Sequence, residues 1–201
     1  MTPATMAKRE ALKAKLIDIA EAEIAQGGIV ALRARDLANA AGCALGAIYT
    51  AVDDLGELAI AVNRRTVDQI TEKMQESVSG LDGEDADDLL VTLAQSYLSY
   101  AQTETNRWRT LFSIGLPEAE DAPGFHQAIE PIVGLISTQL ERLSRFETSR
   151  NLDRNARAIF AAVHGMISLG MEPRLAAIDA RDLDRMVSRV VATLSNKEDT
   201  L

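Results

Sequence analysis

The chain has one cysteine, Cys43, among 201 residues, so no internal disulfide is available to it. Its two histidines, His126 and His164, are far apart, and neither a Cys-x-x-Cys nor a His-Glu-x-x-His spacing accompanies them. The residue patterns that hold zinc are therefore missing. No Gly-rich phosphate loop follows a strand-like run, and no Gly-x-Ser-x-Gly elbow occurs. Carboxylates are plentiful but scattered over apparent solvent faces. The sequence is read as that of a non-enzyme with no cofactor and no metal. The longest apolar-leaning stretch, Ala156 to Met171, is interrupted by His164 and Gly165 and falls short of the ~20 residues that span a bilayer. With no signal-like N-terminus, a cytoplasmic protein without a membrane partner is expected. No segment alternates apolar and polar residues for long enough to argue for a strand.

What the chain does have is apolar residues, 47% of the total, at helical spacing. It has little positive charge: 21 Lys and Arg stand against 30 Asp and Glu, a net charge of −9. That balance does not support a non-specific polyanion binder. The deficit is uneven, because residues 1–70 carry 8 basic and 9 acidic side chains and the rest carries the remaining excess. Lys8, Arg9, Lys13 and Lys15 cluster with only Glu10 among them. They form either a solvated face or, with Arg33 and Arg35, a flank that meets a phosphate backbone.

The most informative stretch is Arg35–Tyr49. Arg35 to Ala41 form a short Ala-rich helix. Gly42 stands where it must stop, since glycine takes the left-handed C-cap conformation without steric penalty. A second short helix is expected from about Ala44 to Val52, with Ile48 and Val52 on its inner face. Small residues Ala38, Ala41 and Ala47 let the two helices cross closely, as a DNA-reading pair requires. An ordinary helical hairpin fits this pattern equally well. A helix of about five turns precedes the pair, with Leu12, Leu16, Ile19, Ala20 and Ile24 in one stripe, and stops at Gly27-Gly28. A long helix follows, capped by Asp54 and turning Leu58, Ala61 and Val62 inward.

Gly27-Gly28, Arg35-Asp36-Leu37-Ala38, Ala40-Ala41-Gly42-Cys43 and Gly46-Ala47-Ile48-Tyr49, in this order and spacing, resemble the N-terminal domain of TetR/AcrR-type transcriptional regulators. The resemblance implies contact with double-stranded DNA through Lys8, Arg33, Arg35, Ala44, Leu45, Gly46, Ala47, Tyr49 and Thr50. It also has departures. Arg33 replaces the family's usual Ser or Thr; it cannot cap a helix but can bind phosphate directly. Thr50, Ala51, Val52 and Leu55 stand where the family places His or Arg, aromatic residues and a Lys. Ala44 and Leu45 replace more usual polar residues, so base readout leans on thymine methyls or water.

The rest of the chain reads as further helices. One begins at Asp87-Asp88. A short one contains Arg107–Phe112 and ends near Gly115-Leu116-Pro117. A third runs from Phe125 to about Phe146, where Pro131 either kinks it or marks its first turn. A fourth covers Leu152 to Met171 and is apolar on more than one side. In the last, Leu183, Met186, Val187, Val190, Val191 and Leu194 make an unbroken stripe. Small residues Ala161, Ala162, Gly165 and Gly170 allow close approach of the fourth. Together the last two helices favour a dimer. Tyr97–Tyr100, Arg109–Phe112 and Ala161–Gly165 with Leu169 are similar to the WHG type of C-terminal domain in the same family. That likeness implies a small effector bound among Tyr97, Tyr100, Trp108, Phe112, Phe125, Phe160 and His164. Such a lining suits a hydrophobic or aromatic molecule, although each residue fits plain core better than ligand contact. It also implies a homodimer interface containing Phe160, Val163 and Ile167 together with the terminal stripe.

The expected architecture is all-α: a helix-turn-helix domain over 1–54, a connecting helix over 55–80 and a helical effector-binding and dimerisation domain over 81–201. The expected function is a ligand-responsive transcriptional regulator, a repressor acting as a dimer on a palindromic operator. The alternative is a relative that keeps the fold as a ligand-binding or interaction protein and has lost operator binding.

Overall fold

A computed structural model of the chain describes residues 2–81, 83–113, 125–143, 149–172 and 178–195, and within the helices it leaves the side chains of 125–128 and 149–150 undescribed. Every regular element among these residues is helical. The helices are α1 (Pro3–Gly27), α2 (Ala34–Ala41), α3 (Leu45–Ala51), α4 (Leu55–Val78), α5 (Ala86–Thr103), α6 (Thr105–Ser113), α7 (Phe125–Glu141), α8 (Ser149–Gly170) and α9 (Ala180–Ser195), with a 3₁₀ turn at Ile29–Ala31.

The chain divides into two compact units. One comprises residues 1–66 and 103–124, the other 67–102 and 125–201. The first boundary falls within α4 rather than at either of its ends. The short helix α6, expected with the C-terminal domain, belongs to the N-terminal unit. Asn106 explains this: its Nδ2 donates to the Ala25 and Gln26 carbonyls at 3.0 Å each, satisfying orphan acceptors at the end of α1. Arg107, buried on α6, pairs with Glu21 of α1, which also accepts from Arg65 of α4 at 2.6 Å. Hydrogen bonds to Glu21 and then Asp18 push the Arg65 pKa further up, so one carboxylate holds three helices through permanent charges.

Helix α1 begins earlier than its apolar stripe suggests. Thr2 caps it by accepting from the Thr5 N–H, and Pro3 supplies a first residue that needs no donor. The Lys8–Lys15 cluster therefore lies inside a 25-residue helix, not at its N-terminus. Leu16, Ala20 and Ile24 are buried against Leu37, Ala38, Ala41, Ile48 and Val52. Each large aliphatic side chain so enclosed contributes about 1.5–3 kcal/mol relative to exposure. Gly28 (φ 69°) ends α1 and Gly42 (φ 67°) ends α2, both in the backbone region that favours glycine. At α4, the Asp54 carboxylate accepts from the Glu57 N–H at 2.9 Å, and the Glu57 side chain accepts from the Asp53 N–H at 2.9 Å.

In the second unit α8 packs against α7 and α9. Close approach is needed at Gly170, where a Cβ would stand 2.7 Å from Leu183 Cδ1. Pro131 is interior to α7, so it does not mark that helix's first turn. The helix ends at Glu141, short of the expected Phe146. Residues 144–148 and Gly115–Pro117 lie outside the described residues.

Candidate nucleic-acid interface and effector cavity

The short helix α3 separates into two faces. Ile48, Ala51 and Val52 are inside, the last closing the helix as its C-cap. Ala51 and Val52, whose chemistry departs from the family pattern, are thus used for core packing. Outward stand Ala44, Leu45, Gly46, Tyr49 and Thr50, with Ala47 half-buried. Leu45 is 44% exposed and Tyr49 56%, an unusual cost for a seven-residue helix unless something covers them. The Thr50 hydroxyl donates to the Gly46 carbonyl at 3.2 Å.

The basic residues sort by partner. Lys13 is hydrogen-bonded to Glu57. Burial pushes that carboxyl up, but the Lys13 and Asp53 hydrogen bonds, with the Lys13 and Arg9 charges, bring it below the ordinary range. Lys15 donates to the Ala41 carbonyl at 2.8 Å, placing a cation on the C-terminal end of α2. Arg65 is held by Asp18 and Glu21. Lys13 and Lys15, read from sequence as a solvated or phosphate-facing cluster, thus secure the domain itself. Lys8, Arg33 and Arg35 are exposed and make no ion pair among the described residues. Arg33 occupies the N-cap of α2 without a side-chain capping bond, as an arginine must. A cation at the start of a helix opposes its dipole, so neither Arg33 nor Arg35 is placed for helix stability.

In the second unit an apolar cavity with a free volume of about 20 Å³ opens among four helices. Its lining is Met74 of α4; Leu90, Leu93, Ala94 and Tyr97 of α5; Ile132 and Ile136 of α7; and Ile159, Phe160 and Val163 of α8. The space is narrow. Tyr97 and Phe160 meet edge to face at 5.7 Å, and Phe160 stacks on His164 at 6.0 Å. The Tyr97 hydroxyl and His164 Nδ1 share a hydrogen bond of 3.1 Å. Burial lowers the His164 pKa to about 4, so the imidazole is neutral at pH 7 and the cluster carries no charge.

Of the seven aromatic and imidazole residues expected at the pocket, the cavity gathers Tyr97 and Phe160, with His164 behind them. Tyr100 is buried in the same unit, its hydroxyl donating to Gln69 at 3.2 Å. Trp108 and Phe112 belong to the N-terminal unit, where their rings lie 6.0 Å apart. Phe125 has no described side chain. The aliphatic lining carries only the periodic signal that any helix core carries, so the sequence does not single it out.

The expected interface also divides. Leu183, Val187 and Val191, with Phe160, Val163 and Ile167, are buried in the subunit itself. Residues three positions on from each member of the inner row of α9 sit about 60° round the helix. There Met186 (40% exposed) and Leu194 (43%) face outward, with Val190 half-buried between them.

A helix-turn-helix unit joined to a helical unit that encloses an apolar cavity is the architecture of a ligand-binding DNA regulator. A family model described as "Tetracyclin repressor-like, C-terminal domain" matches residues 90–194, just over half of the chain. The chain belongs to the TetR family of transcriptional regulators. Among solved structures it is similar to a protein of unknown function from Rhodococcus sp. RHA1 (20% identity, TM-score 0.71, covering 90% of this chain and 94% of that one). It is also similar to the transcriptional regulator FadR from Bacillus subtilis in complex with stearoyl-CoA (16%, TM-score 0.69, 90% and 97%). A third similar structure is RolR in complex with resorcinol (17%, TM-score 0.67, 97% and 98%). At these identities the likeness is one of fold. No curated protein sequence matches the chain. Among the described residues no helix is long and apolar enough to cross a membrane.

Proposed function

We propose that this chain is a homodimeric repressor of transcription that binds a palindromic operator and releases it when a small apolar effector enters the cavity of the second unit. The observation that carries the reading is the outward face of α3, exposed over a well-packed helix-turn-helix core, together with Lys8 on α1 and Arg33 and Arg35 at the start of α2, all three exposed and without an ion pair among the described residues. Each subunit would lay α3 in a major groove, Arg33, Arg35 and Lys8 would meet phosphates, and Tyr49 and Thr50 the backbone. The outward row Met186, Val190 and Leu194 supports dimerisation through α9. Ala161, Gly165 and Leu169 form a second outward row on α8, where a Cβ at Gly165 would meet nothing within 4 Å. For effector action, α4 supplies Met74 to the cavity wall and Leu58 and Val62 to the core beneath α3. A ligand that moves Met74 therefore acts on the helix that also packs in the DNA-binding unit.

The reading is tested by the salt dependence of duplex binding. Three phosphate-facing cations per subunit give about six per dimer, so the plot of log affinity against log salt has a slope of about −5. Affinity then falls about 1,000-fold between 50 and 200 mM salt. A folded protein that binds no duplex at 50 mM salt overturns the reading. It then favours the relative that has lost operator binding, for which the acidic chain as a whole speaks.

A further inference from the structure

We propose that α3 reads its DNA site through thymine C5-methyl groups, so that the positions of thymines in the major groove define the operator. The inference rests on the reading of α3 as the DNA-contacting helix and adds how it would choose its bases. From Ala44 to Val52 the sequence contains no Arg, Lys, Asn, Gln, Asp or Glu. The Arg and Lys that pair with guanine, the Asn and Gln that pair with adenine and the carboxylates that accept from cytosine are therefore missing from the whole helix. What its outer face offers instead is the apolar surface of Leu45, the small residues Ala44, Gly46 and Ala47 around it and, one turn on, the ring of Tyr49, whose hydroxyl is left for the DNA backbone. The one base-edge feature such a surface recognises is the thymine methyl, which stands in the major groove where the other bases present polar atoms or hydrogen. The Thr50 hydroxyl donates its proton to the Gly46 carbonyl, so it is not a free donor to a base.

Gly46 points the same way independently. Its φ is not positive, and a Cβ built there would meet nothing within 4 Å. Nothing among the described residues requires glycine there, yet glycine weakens a helix relative to alanine. Its gain is a bare backbone on the outward face, which allows α3 to come close enough for Leu45 and Ala47 to touch methyl groups that a side chain at 46 would hold away.

The experiment uses two pools of random 30-base-pair duplexes, one synthesised with thymidine and one with deoxyuridine, which differ only in the C5-methyl group. The full-length protein is expected to enrich a thymine-containing motif from the first pool. The same motif prepared with deoxyuridine should bind roughly 15- to 200-fold more weakly, in keeping with the removal of one or two methyl groups that the helix touches in each of two half-sites. Leu45→Ala, at an exposed position, should bring the thymidine-to-deoxyuridine ratio towards one. Gly46→Ala should weaken binding of the thymidine motif while raising helix stability in thermal melts. Equal binding of the two forms of the motif by the wild type overturns the proposal and leaves the DNA-binding role intact. Enrichment from neither pool overturns both.

Discussion

Arg35→Ala should weaken binding of the dimer to its DNA site by roughly 30- to 800-fold, on about 1–2 kcal/mol per half-site for a charge-assisted phosphate contact. It should also make the salt slope less steep by about two units, one for each phosphate that is no longer neutralised. The fold should not suffer. Arg35 is exposed at the start of α2, makes no ion pair among the described residues, and opposes the helix dipole there. Thermal melting of the variant should therefore match or slightly exceed the wild type. Arg35→Lys separates charge from geometry: it should keep the wild-type salt slope but recover only part of the affinity, because an ammonium lacks the planar fork. Fluorescence anisotropy over a salt series measures all of these. An Arg35→Ala variant with wild-type affinity and slope would show that α2 does not face the phosphates.

The second large effect is expected at α9. Val190→Asp should dissociate the dimer, because it places an uncompensated carboxylate from each subunit in the apolar contact between Met186 and Leu194. An unpaired buried charge costs about 3–5 kcal/mol, and a two-fold interface receives it twice. The dimer dissociation constant should rise by at least about 10⁴-fold. The choice of position matters. Val187 lies in the same sequence stripe but is fully buried in the subunit, so a charge there would unfold the core and reveal nothing about assembly. Val190 is half-buried, and helicity by circular dichroism should survive its replacement. Sedimentation of wild type and variant makes the measurement; a monomeric wild type would contradict the proposed dimer.

The N-terminal unit was legible because its signals are local. Gly42 adopts the left-handed cap that its place in the sequence demands, Asp54 caps α4, and Ile48 and Val52 turn inward as their spacing requires. Residues whose role depends on distant partners were not legible. Lys13 and Lys15 look like surface charge until Glu57 and the Ala41 carbonyl are brought to them across 44 and 26 residues of chain. The placement of α6 turns on Asn106 reaching the end of α1, 80 and 81 residues away, and no local pattern announces it. At the cavity, aromatic residues stand out in sequence by their chemistry, whereas most of the wall is aliphatic and indistinguishable in sequence from ordinary core. For α9 the stripe was visible in full. Its division into an inner row, Leu183, Val187 and Val191, and an outer row depends on which way the helix is rolled. Periodicity alone does not set that roll.

The most direct test of the central claim is affinity selection of fragmented genomic DNA from the source organism by the purified protein at low and moderate salt. The expected result is a palindromic motif with half-sites about one turn of DNA (~34 Å) or a multiple of it apart, no longer recovered when Arg35 is replaced by alanine. A folded dimer that retains no fragment even at low salt would contradict the account. The outward face of α3 would then need an explanation other than DNA.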